Sequence, residues 1–109
     1  MPYDEVLEAR VRAILPSGIN IIGKKMFGGV GFMLDGHMAC GVIGDSLIVR
    51  VGPERYERAL REQHVKEFDM SGRPMRGWVE VKAVGIQEEN QLRYWTMQGI
   101  DYAGTLAPK

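Results

Sequence analysis

Two turn pairs, Asp35-Gly36 and Gly44-Asp45, punctuate the stretch Lys24–Val51 and leave it little choice of fold. Asp-Gly suits a two-residue type I′ hairpin, whose central residues both take positive φ. Gly44-Asp45 is a second turn of the same length, with glycine in the left-handed position. Turns of this length set the register, with Leu34 opposite His37 and Ile43 opposite Ser46. Side chains alternate along a strand, so the two faces follow. Met33, Met38, Cys40, Val42, Leu47, Val49 and Val51 fall on one face, which is wholly apolar and expected to lie under helices. Val30, Phe32, Leu34, His37, Ala39, Gly41, Ile43, Ile48 and Arg50 fall on the other. That face is too apolar to stand in water. A loop, a ligand or a second subunit is expected to cover it.

The flanks read mostly as helices. Over Tyr3–Leu15, Leu7, Val11 and Ile14 recur at helical spacing, with Val6 and Ala13 widening the stripe. Pro16-Ser17-Gly18 ends this helix. Ile21 and Ile22 lead towards a first strand through Lys25-Met26-Phe27, and Gly28-Gly29 is a bend or bulge. Gly52-Pro53-Glu54 opens a short helix ending near Gln63, with Tyr56, Ala59 and Leu60 as its stripe. His64–Phe68 is a strand candidate, with Val65 and either Phe68 or Met70 inward. Ser71-Gly72-Arg73-Pro74 is a turn or loop. Arg76–Val81 is a strand, with Val79 and Val81 on one face and Arg76, Trp78 and Glu80 on the other. The last helix spans Gln87–Leu106, striped by Leu92, Trp95, Gly99, Ala103 and Leu106, before a frayed end at Ala107-Pro108-Lys109. The order α-β-β-β-β-α-β-β-α predicts a two-layer α+β fold: an antiparallel sheet with a meander at its centre, covered on one face by helices. Residues 1–109 are enough for one domain.

Composition excludes several function classes. Lys+Arg and Asp+Glu are both 14, so the formal net charge is zero. A basic excess is the usual footprint of nucleic-acid binding, so nucleic acid is not an expected partner. No apolar run is long enough for a membrane span, and the N-terminus lacks a signal-peptide pattern. A single cysteine allows no internal disulfide. The expected location is cytoplasmic.

The chemistry-bearing residues are few. Gly28-Gly29-Val30-Gly31 is followed by a strand and not a helix, so it reads as hairpin backbone and not as a phosphate loop. Cys40 falls on the apolar face and His37 on the other, and a buried thiol stays protonated. His37 and His64 lack metal-ligand spacing. No catalytic, cofactor or metal site is expected. Met26, Met33, Met38 and Met75 read as core fillers, since thioether chains adapt to irregular gaps. The mixed face is more informative. It gathers Phe32, His37, Arg50, Arg76 and Trp78, with Arg73 on the adjoining loop. Guanidinium groups beside aromatic surface bind carboxylate, phosphate or an acidic partner. The alternative is that Arg50 and Arg76 pair with Glu80 and Asp35 at a solvated rim.

Four stretches carry a family resemblance: Lys25-Met26-Phe27-Gly28-Gly29, Gly31-Phe32-Met33, Cys40-Gly41-Val42, and Gly72-Arg73-Pro74-Met75-Arg76-Gly77. Together they resemble the TfoX N-terminal domain family, over nearly the whole chain. The resemblance implies a compact α+β domain with an antiparallel sheet. It also implies regulation: longer members carry a helical C-terminal domain after this one and regulate bacterial competence genes. This chain reads as a stand-alone N-terminal domain. The family has no established catalytic residues to carry over. The expected function is a non-enzymatic regulatory or protein-interaction domain with an unidentified protein partner, self-associating as a homodimer through the mixed face. The competing expectation is a small-ligand or anion-binding module using Arg50, Arg73 and Arg76.

Overall fold

Asp35 (φ 50°) and Gly36 (φ 88°) both take positive φ, as a type I′ turn requires. Across the next turn Ile43 pairs with Ser46. These two hairpins seed a six-stranded sheet in the computed structural model, which describes residues 3–26, 28–70 and 72–108. The strands are β1 (Ile21–Met26), β2 (Gly29–Leu34), β3 (His37–Ile43), β4 (Ser46–Arg50), β5 (Val65–Met70) and β6 (Arg73–Val81). The sheet order is β1-β2-β3-β4-β6-β5, with every pair antiparallel. Met26 pairs with Gly29, so Gly28 belongs to a tight turn and not to a bulge. Phe27, placed in the first strand by the sequence, and Ser71, placed in a turn or loop, lie outside the described residues, as does Lys109.

Three helices, α1 (Glu5–Ile14), α2 (Tyr56–Leu60) and α3 (Glu89–Ala103), complete the expected α+β order. Asp4 caps α1 by accepting from the Val6 and Leu7 N–H groups at 2.9 and 3.1 Å. The α1 stripe is narrower than the sequence suggested: Leu7, Val11 and Ile14 are buried, while Val6 and Ala13 are exposed. The α2 helix begins three residues after Pro53, because residues 53–55 form turns first. Glu88 and Gln91 form a reciprocal capping box at the start of α3. Leu7, Val11 and Ile14 of α1, Tyr56 and Ala59 of α2, and Leu92 and Trp95 of α3 share one core cluster with the sheet. All three helices therefore cover the same sheet face.

The sheet departs from uniform alternation at two places, and both move functional candidates. On β2 and β3, Leu34 pairs with His37 and Met33 with Met38, as the turn dictates, but Phe32 then pairs with Cys40. Ala39 is the extra residue of a bulge. Beyond it, Phe32 and Val30 join Cys40 and Val42 in the helix-side core. Leu34 and Ala39 pack with Ile100 and Ala103 of α3. The second departure is at Gly77, whose φ of 93° only glycine adopts without strain. Its carbonyl accepts from both Val51 N–H and Gly52 N–H, at 2.9 and 3.0 Å. Beside it the β5–β6 register slips between Glu67 and Asp69.

Candidate functional site

The face opposite the helices holds a groove of about 290 Å³. Its walls come from all six strands: Met26 of β1, Met33 of β2, His37 and Met38 of β3, Arg50 of β4, Phe68 of β5, and Met75 and Trp78 of β6. In a flat sheet β1 and β5 would stand about 24 Å apart at normal strand spacing. Lining one groove from both edges requires the sheet to curl and long side chains to lean inward. Bulges add such curl. Gly31 and Gly41, paired across β2 and β3, form a floor without side chains. The space a Cβ would need there is taken by the methyl ends of Met26 and Met38 over Gly31, and of Met38 over Gly41.

The methionines expected in the core line this groove instead. The Ala39 bulge is the reason: it puts Met33 and Met38 on the open face while Cys40 stays under the helices. Ile48 and Phe68 are also buried, outside the helix-side clusters. The open face thus has its own small apolar layer, built by the chain itself. Phe68 and Trp78 lie with ring centroids 6.4 Å apart along one wall.

Arg50 is the cationic residue of the groove. Its guanidinium carbon lies 5.3 Å from the Trp78 ring centroid and 5.4 Å from that of Tyr102 on α3. Two aromatic rings hold it through cation–π attraction. Among the described residues, no carboxylate and no hydrogen-bond acceptor engages its N–H donors. The expected rim pairs do not form: Glu80 pairs with Lys66 at 3.8 Å, and Arg76 pairs with Glu57 at 4.0 Å. Among the described residues, no acidic side chain lines the groove.

The other sequence candidates separate. His37 stands at one end of the groove with Nε2 2.7 Å from the Ala107 carbonyl, to which it donates. Arg73 is exposed at the start of β6 and does not line the groove. Arg76 leaves the face because alternation breaks at Gly77; its guanidinium sits 5.6 Å from the Tyr56 ring, beside α2. Phe32 is wholly buried on the helix side, with the Arg12 guanidinium 5.2 Å from its ring centroid. Of the candidates, His37, Arg50 and Trp78 line the groove, with His37 at its end, opposite Leu34 and bonded through its ring to the segment after α3. Tyr102 was missed, because nothing in the sequence ties the end of α3 to β4.

Nucleophilic chemistry finds little support at Cys40. The thiol is wholly buried, and burial pushes it up to about 12. Among the described residues, no group of three His, Cys, Asp or Glu side chains could hold a metal ion. No described helix is long and apolar enough to cross a membrane. A larger hollow of about 600 Å³ lies between the Val51–Arg55 segment and the end of α3. Glu54 and Asp101 there offset Arg55 and Arg58, so it favours neither sign of charge.

A family model described as the TfoX N-terminal domain matches residues 15–103. No curated protein and no solved structure matches the chain.

Proposed function

The chain belongs to the TfoX N-terminal domain family, and from that membership we propose that it acts without catalysis, as a regulatory domain whose recognition element is the open-face groove. The observation that carries this reading is the convergence of all six strands on one apolar groove that holds an arginine with no acidic partner. Folded domains rarely leave such a surface without a use. The buried, protonated Cys40 argues against thiol chemistry. A single buried cysteine also suits a reducing cytoplasm.

A homodimer through the mixed face needs Phe32, Leu34 and Ile48 exposed there beside Arg50, Arg76 and Trp78. Phe32 and Leu34 belong to the helix-side core and Ile48 is buried. That leaves the groove and its rim as the surface for a partner. The test is genetic. Deletion of the gene from its source cell should change a defined set of transcripts. Wild type should restore them, and a folded Met33→Glu variant, which puts a carboxylate in the groove, should not. Full restoration by Met33→Glu would remove the groove from the account.

A further inference from the structure

We propose that the groove binds a small amphipathic carboxylate of roughly ten non-hydrogen atoms, its apolar body among the methionines and its carboxylate on Arg50. This rests on the reading of the groove as the recognition element. Size comes first. The groove holds about 290 Å³, at the lower end of the range for small-molecule sites. At about 30 Å³ for a water-sized unit, that is room for roughly ten such atoms. An extended peptide of several residues does not fit.

Lining chemistry comes second. Four thioether side chains, Phe68 and Trp78 supply a soft apolar wall that adapts to ligand shape. At Gly31 a ligand can approach the sheet backbone, because the nearest atoms over it are the flexible ends of Met26 and Met38. Charge is the third and deciding point. Trp78 and Tyr102 hold Arg50 through their rings, which leaves its N–H donors uncommitted. A guanidinium held this way, with its fork of donors open, matches a carboxylate in two parallel hydrogen bonds. Among the described residues of the lining, nothing acidic competes. A cationic ligand would be repelled, and a neutral one would forgo the charge-assisted pair.

The experiment uses the full chain and three probes of one length: octanoate, octanol and octyltrimethylammonium, titrated by calorimetry. Octanoate should bind saturably with Kd below about 1 mM. Octanol should bind about tenfold more weakly, as loss of a charged hydrogen bond requires. The ammonium probe should not bind. Arg50→Gln should weaken octanoate about tenfold while leaving octanol unchanged, and Arg50→Lys should recover part of the loss. If Arg50→Gln fails to fold, the probe series on wild type decides alone. Equal binding of octanoate and octanol, or no saturable binding, overturns the proposal. So does tighter binding of a short peptide ending in leucine, which would point to a chain terminus. The genetic test above fails separately: Met33→Glu can restore the transcripts whether or not octanoate binds.

Discussion

Gly99 of α3 lies against the carbonyl of Ala39 in β3, so close that a Cβ on Gly99 would overlap the oxygen. The helix is seated on the bulge itself. The obstructing atom is backbone and cannot swing away. Gly99→Ala is therefore expected to lose roughly 1–3 kcal/mol through overpacking. Alanine is the better helix former by about 1 kcal/mol, so a solvent-facing site would show the opposite sign. Urea unfolding of the variant measures this, and a gain in stability would contradict the seating of α3.

Phe32 and Trp95 belong to the same helix-side cluster and are 0 % and 4 % exposed. Phe32→Ala and Trp95→Ala are each expected to cost roughly 3–5 kcal/mol. Equilibrium unfolding checks both. A Phe32→Ala loss under about 1 kcal/mol would return that ring to the open face.

Thr96 sits wholly buried in α3, and its hydroxyl has no hydrogen-bond partner among the described residues. An unanswered buried hydroxyl costs about 1–3 kcal/mol. Thr96→Val keeps the shape and removes the hydroxyl. It is expected to raise the unfolding midpoint, and a drop would reveal a partner for the hydroxyl.

Cys40 links stability to alkaline pH. Burial raises its thiol from the usual value of 9.0 to about 12. The unfolded chain ionises first, so between those values it holds fewer protons than the folded chain. Stability from this group is full below pH 9 and is lost as pH climbs towards 12. The slope inside the window is about 1.4 kcal/mol per pH unit. The stability difference between wild type and Cys40→Ala, followed by urea unfolding across that range, should shrink accordingly. A pH-independent difference would place the thiol in water.

Much of the fold was legible because turns and stripes act locally. Asp35-Gly36 and Gly44-Asp45 announce their hairpins, and Leu92, Trp95 and Gly99 announce the inner side of α3. Cys40 alternates with Val42 and so reads correctly as buried. The faces of β2 were not legible. Alternation propagates from a turn only until a bulge, and Ala39 carries no residue signature of one. That single extra residue carries Phe32 into the helix-side core and puts Met38 and Cys40 on opposite faces. Arg76 was misplaced in the same way by Gly77. Arg50 and Trp78 were legible as neighbours, since β4 and β6 alternate regularly where they pair. Tyr102 reaches Arg50 from α3, a contact between distant segments that no local pattern reports.

The shared groove rests on Met26 and Met38 meeting over the Gly31–Gly41 floor with Met33 and Met75 in its walls, and nuclear Overhauser spectroscopy on isotope-labelled methionine methyls tests that most directly. The methyls of Met26 and Met38 are expected to show cross-peaks to the Gly31 Hα protons, and those of Met38 and Met75 to the Trp78 ring. None should show one to Trp95, which lies in the core beneath α3. Cross-peaks from Met33 or Met38 to Trp95 or Leu92 would put these side chains back under the helices, and the groove would not exist.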